Sequence, residues 1–113
     1  MWIFLPESFV SIVRKPDQVP GFLTVRARVA GDINRLFPGA EVSTDGGTDY
    51  QFRANVPATE VAAVVADRIT GIPYANFKAA VTEPDREAVY ARVWRRMRDF
   101  GLMRQQEGLP VDA

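Results

Sequence analysis

The sequence predicts an α+β protein: an antiparallel sheet of four to five strands with helices packed on one face, of which a ferredoxin-like arrangement is one form. Three observations lead there. Over residues 22–29, Leu23, Val25, Ala27 and Val29 face one way while Thr24, Arg26 and Arg28 face the other, the period of a half-buried strand. The Asp-Gly and Gly-Gly pairs at residues 45–47 supply the positive φ that a tight hairpin requires. After Pro57 the period becomes helical, with Val61, Val64, Val65 and Ile69 on one stripe and alanines between them.

The elements follow in order. Residues 2–5 form a short apolar β run ended by Pro6, and residues 9–14 a second; residues 6–8 join them as a hairpin. Two prolines and a glycine make residues 15–21 a loop before the strand at 22–29. A helix of about two turns spans 31–37, with Ile33, Leu36 and Phe37 inward and Pro38-Gly39 ending it. Residues 41–44 and 49–56 read as the two strands of the glycine-turn hairpin. A helix over 59–70 stops at Gly71, and Pro73 opens a short one bearing Tyr74, Phe77, Ala80 and Val81. Thr82 caps a final helix that ends at Phe100 before Gly101, with Val89, Tyr90, Val93, Trp94, Met97 and Phe100 as its apolar stripe. Without a linker, repeat or low-complexity tract, residues 1–103 read as one domain and 104–113 as a frayed tail.

Composition restricts the chemistry more firmly than it suggests any. The 113 residues include no Cys and no His, which removes disulfides, thiolate nucleophiles and the usual zinc ligands. Acid–base catalysis would fall to a carboxylate, Lys or Tyr with a displaced pKa. Fourteen basic side chains balance fourteen acidic ones, so the chain as a whole is no polycation for nucleic acid. No stretch approaches the roughly 20 apolar residues of a membrane span, and the opening apolar run is too short for a signal peptide. The chain therefore reads as cytoplasmic, with no cofactor, metal or membrane expected.

Some segments look familiar together: Met1-Trp2-Ile3-Phe4, Val25-Arg26-Ala27-Arg28, Asp49-Tyr50-Gln51-Phe52-Arg53, Tyr74-Ala75-Asn76-Phe77-Lys78 and Val93-Trp94. They resemble a group of short uncharacterised bacterial proteins across most of the chain. That resemblance implies no activity.

Candidate sites come from arginine. The alternation places Arg26, Arg28 and Arg53 on the solvent side of neighbouring strands, with Gln51 and Asn55 beside them. Such a face can hold phosphate or carboxylate bidentately; the plainer reading is a solvated sheet face whose cations pair with nearby acids. Tyr50 and Phe52 share the opposite face with Ala54 and Val56 and read as core, which disfavours base stacking on the open sheet.

On the last helix Arg86, Arg92, Arg95, Arg96, Arg98 and Arg104 outnumber Asp85, Glu87 and Asp99. Arg92, Arg95 and Arg96 head a basic face for an acidic partner, or else an ordinary solvated helix with Arg95–Asp99 and Arg96–Asp99 pairs. Trp94 belongs to the stripe and reads as core; Trp2 reads as core or interface. Asp45-Gly46-Gly47-Thr48-Asp49 lacks the ligand spacing of an EF-hand and the Gly-Lys-Ser/Thr of a P-loop, so it is a turn.

These residues point first to a non-catalytic interaction or regulatory module that binds an acidic protein partner, or a second copy of itself as a homodimer, through an arginine-bearing surface. A binder of nucleic-acid phosphates without base stacking comes second. A small enzyme working through carboxylates and arginine comes last, because no acid and base stand at a telling spacing.

Overall fold

The computed structural model describes residues 1–44 and 49–108. They gather into two compact units, Met1–Tyr74 and the residues from Ala75 onward. The first is built from β1 (Trp2–Leu5), β2 (Ser8–Val13), β3 (Phe22–Ala27), α1 (Asp32–Leu36), β4 (Phe52–Pro57) and α2 (Ala58–Thr70), the second from α3 (Phe77–Ala80) and α4 (Pro84–Gln106).

The sheet is an antiparallel meander in the order β1-β2-β3-β4. The expected α+β class and antiparallel sheet are present. A split βαβ crossover of the ferredoxin-like kind does not occur among the described strands, because each strand pairs with the next in sequence. Leu5 pairs with Ser8 across the two-residue turn at Pro6-Glu7, and the register continues with Ser11 opposite Arg26 and Arg26 opposite Arg53.

With a side-chain period of two, this register places Val10, Ile12, Val25, Ala27, Ala54 and Val56 on one face. There they form a core with Ile33, Leu36 and Phe37 at α1 and Val61 of α2. Both helices of this unit therefore cover the same side of the sheet. Burying such side chains contributes about 1.5–3 kcal/mol each relative to exposure. On β1 and β2, Phe4 lies 4.6 Å from Phe9, and Trp2, well exposed, meets the edge of Phe9 at 6.1 Å.

Asp32 anchors α1. Its carboxylate is buried, accepts the Phe9 N–H at 3.0 Å and stands 3.4 Å from the Arg35 guanidinium. Gly31, immediately before it, takes φ of 91°, a left-handed conformation in which a Cβ is strained. At the sheet's end Glu7 pairs with Arg68, tying the first turn to α2.

Several boundaries differ from expectation for identifiable reasons. Residues 41–44 form no strand of their own: only Ser43 bridges Arg53, and Glu41 and Thr44 are exposed. The expected glycine turn at residues 45–48 lies outside the described residues. β3 ends at Ala27 and β4 begins at Phe52; beyond these ends Arg28 and Tyr50 meet outside the ladder. In the second unit Asn76 is the cap of α3, its Oδ1 accepting from Lys78 and Ala79 N–H.

Glu83 rather than Thr82 holds the cap position of α4, with Pro84 at its first turn. The helix also runs through Gly101 to Gln106, past the expected end at Phe100. Gly101 does not adopt the left-handed backbone with which a glycine commonly closes a helix, whereas Gly108 does, at φ of 71°.

The largest departure is the stripe of α4. Of its residues, only Arg86 and Tyr90 are buried. Val89, Val93, Trp94, Met97 and Phe100 are all exposed, Val89 by 53% and Met97 by 61%, so Trp94 is not a core residue.

Candidate basic interaction surfaces

The predicted arginine residues fall on two separate units. In the first, Arg26 and Arg53 sit opposite each other on the face away from α1 and α2, next to the Thr24–Asn55 pair. Like charges in direct opposition on neighbouring strands repel. The structure holds them through Tyr50. Arg26 donates to Ser11 Oγ at 2.7 Å, and its guanidinium carbon lies 4.3 Å from the Tyr50 ring centre. Arg28 lies at the same distance from that ring, donates to the Asp49 carbonyl and stands 3.9 Å from the Asp49 carboxylate. Arg53 Nε donates to the Tyr50 carbonyl at 3.4 Å.

Tyr50 is accordingly buried, but beneath guanidinium groups rather than in the core cluster, which Phe52 alone of the two joins. The alternation expected to carry both rings inward fails because Tyr50 lies outside β4. Asn55 Oδ1 accepts from Gln18 Nε2 at 3.0 Å and Thr24 Oγ at 3.3 Å, while Gln51 is exposed outside the strand.

Beside this face a cleft of about 740 Å³ is lined by Lys15, Asp17, Gln18, Glu41, Arg53 and Asn55 among others. Two cations and two carboxylates offset each other there. Arg26, Arg28 and Arg53 are each engaged locally, with Ser11, Asp49 or Tyr50.

The second unit differs. α4 is a 23-residue helix, about 34 Å long at the usual rise per residue. Tyr90 stacks with Phe77 at 5.8 Å between ring centres, and Arg86 donates to the Tyr90 hydroxyl at 3.2 Å and to Glu83 at 3.0 Å, which fixes the first turns. Trp94 carries Lys78 Nζ at 3.9 Å and Arg98 at 5.3 Å from its ring centre, and Phe100 carries Arg104 at 4.9 Å. These cations pack against aromatic faces while their charges stay near water.

Arg92, Arg95 and Arg96 are exposed and make no hydrogen bond or ion pair among the described residues. The expected pairing of Arg95 and Arg96 with Asp99 does not form, since Asp99 meets Arg98 at 3.3 Å instead. At about 100° per residue, Arg96 and Arg92 lie about 20° and 60° from Val89, beside the stripe of Val89, Val93, Met97 and Phe100, whereas Arg95 lies about 120° from Val89, further round the helix. Sequence reasoning found these arginines but placed the adjoining stripe in the core.

Among the described residues no cluster of three or more acidic ligands is arranged to hold a metal, and no helix is long and apolar enough to cross a membrane. Neither a family model, nor a curated protein, nor a solved structure matches the chain.

Proposed function

We propose that the chain is a non-catalytic interaction module that binds an acidic protein partner through the arginine-bearing face of α4. One observation carries this reading: Arg92, Arg95 and Arg96 stand exposed and, among the described residues, unpaired on a helix with exposed apolar side chains, whereas the arginines of the sheet are engaged with Tyr50, Ser11 and Asp49. Unopposed cations next to desolvatable apolar surface favour a partner carrying carboxylates and apolar groups together. A nucleic-acid backbone would use the cations and leave the apolar residues in water.

The test is affinity capture from nuclease-treated native lysate, comparing the wild-type chain with a variant carrying Arg92→Glu, Arg95→Glu and Arg96→Glu. Wild type retains an acidic protein and the variant loses it. Retention by the variant refutes the α4 surface, and a harvest that nuclease empties transfers the reading to nucleic acid.

A further inference from the structure

Resting on that reading, we infer that the partner segment docks on α4 as an amphipathic helix with an apolar stripe and acidic flanks. Val89, Val93, Met97, Phe100 and Met103 recur at spacings of four, four, three and three, and every one of them is exposed. This is the spacing of a seam that meets another helix, and it continues over about 21 Å, or four turns. An extended peptide has a side-chain period of two and would match such a seam poorly.

Charge identifies the occupant. Arg96 lies within the edge of the seam, Arg92 lies along its border and Arg95 lies further round the helix; none has an ion-pair partner among the described residues. Carboxylates along that side of a partner helix would pair with Arg92 and Arg96, whereas a partner helix carrying cations there would set like charges together.

The experiment uses the full chain and three synthetic 21-residue peptides. The first has leucine at heptad a and d positions with glutamate at e and g; the second replaces those glutamates by lysine; the third is a scramble of the first that keeps its composition but not its periodicity. Fluorescence anisotropy should show the first binding at least tenfold more tightly than either of the others. Val93→Glu with Met97→Glu should remove that binding. Arg92→Glu, Arg95→Glu and Arg96→Glu together should transfer the preference to the lysine peptide.

Equal binding of the periodic and scrambled glutamate peptides overturns helical docking and leaves the acidic-partner reading standing. Equal binding of the glutamate and lysine peptides, or no binding of any peptide, overturns the proposed occupant. Sedimentation that shows a dimer undisturbed by the glutamate peptide and abolished by Val93→Glu with Met97→Glu assigns the face to a second copy and overturns it as well.

Discussion

Replacing Tyr50 by leucine removes the aromatic face that two guanidinium groups approach while preserving a bulky apolar side chain. Arg26 and Arg28 each lie 4.3 Å from the ring centre. A cation–π contact contributes about 0.5–1 kcal/mol at an exposed site and about 2 kcal/mol where water is excluded. Arg28 is half-exposed and belongs at the low end; Arg26 is more buried and belongs nearer the middle.

Together they predict that Tyr50→Leu costs about 2 kcal/mol more than Tyr50→Phe, which keeps the ring. In a domain of this size that difference lowers the melting midpoint by about 10 °C. Urea unfolding followed by circular dichroism measures it directly, with an unchanged m-value confirming that stability alone has moved. Adding Arg28→Gln to each background then isolates the pair: its cost should shrink in the leucine protein. If the leucine and phenylalanine proteins unfold at the same urea concentration, the ring is a filler and the account of the arginine face is wrong.

Other parts of the structure give independent tests. Asp32→Ala leaves the Phe9 N–H without its acceptor at the start of β2 and should cost about 1–3 kcal/mol, with faster hydrogen exchange at the Phe9 amide. Gly31→Ala places a Cβ at φ of 91°, where nothing else lies within 4 Å; the loss should be purely conformational, about 1–2 kcal/mol in denaturant titration, and smaller for Gly31→Asn. Val89→Gln with Met97→Gln, two changes that would wreck a core, should alter stability by no more than about 0.5 kcal/mol because both side chains already face solvent.

The elements of the first unit were legible where one periodicity ran undisturbed. Leu23, Val25 and Ala27 alternate cleanly and β3 follows them; Val61, Val64 and Val65 mark the inward side of α2. The alternation misplaces Tyr50 because extending it backwards from Phe52 assumes that the strand continues, whereas β4 begins at Phe52 and the Tyr50 ring meets two cations of a neighbouring segment. Strand order was not readable either, since a local pattern defines faces and leaves neighbours undetermined.

α4 shows a different limit. A helical apolar stripe identifies a surface that can be covered, whether by the same chain or by another molecule, and no local pattern separates the two. The density of arginine around that stripe was the available signal. Arg92, Arg95 and Arg96 lie within five residues without an acid among them, which an entirely intramolecular contact would not require.

The central claim is that the Val89–Met103 face stands open in the free chain. Hydroxyl-radical footprinting of the monomer measures this through Met97 and Met103, with Met1, 77% exposed, as the internal standard. The account predicts oxidation of both within about threefold of Met1, as comparable exposure of the same side chain requires. Strong protection of Met97 and Met103 in the monomer would show that the chain covers this face itself, contradicting the account.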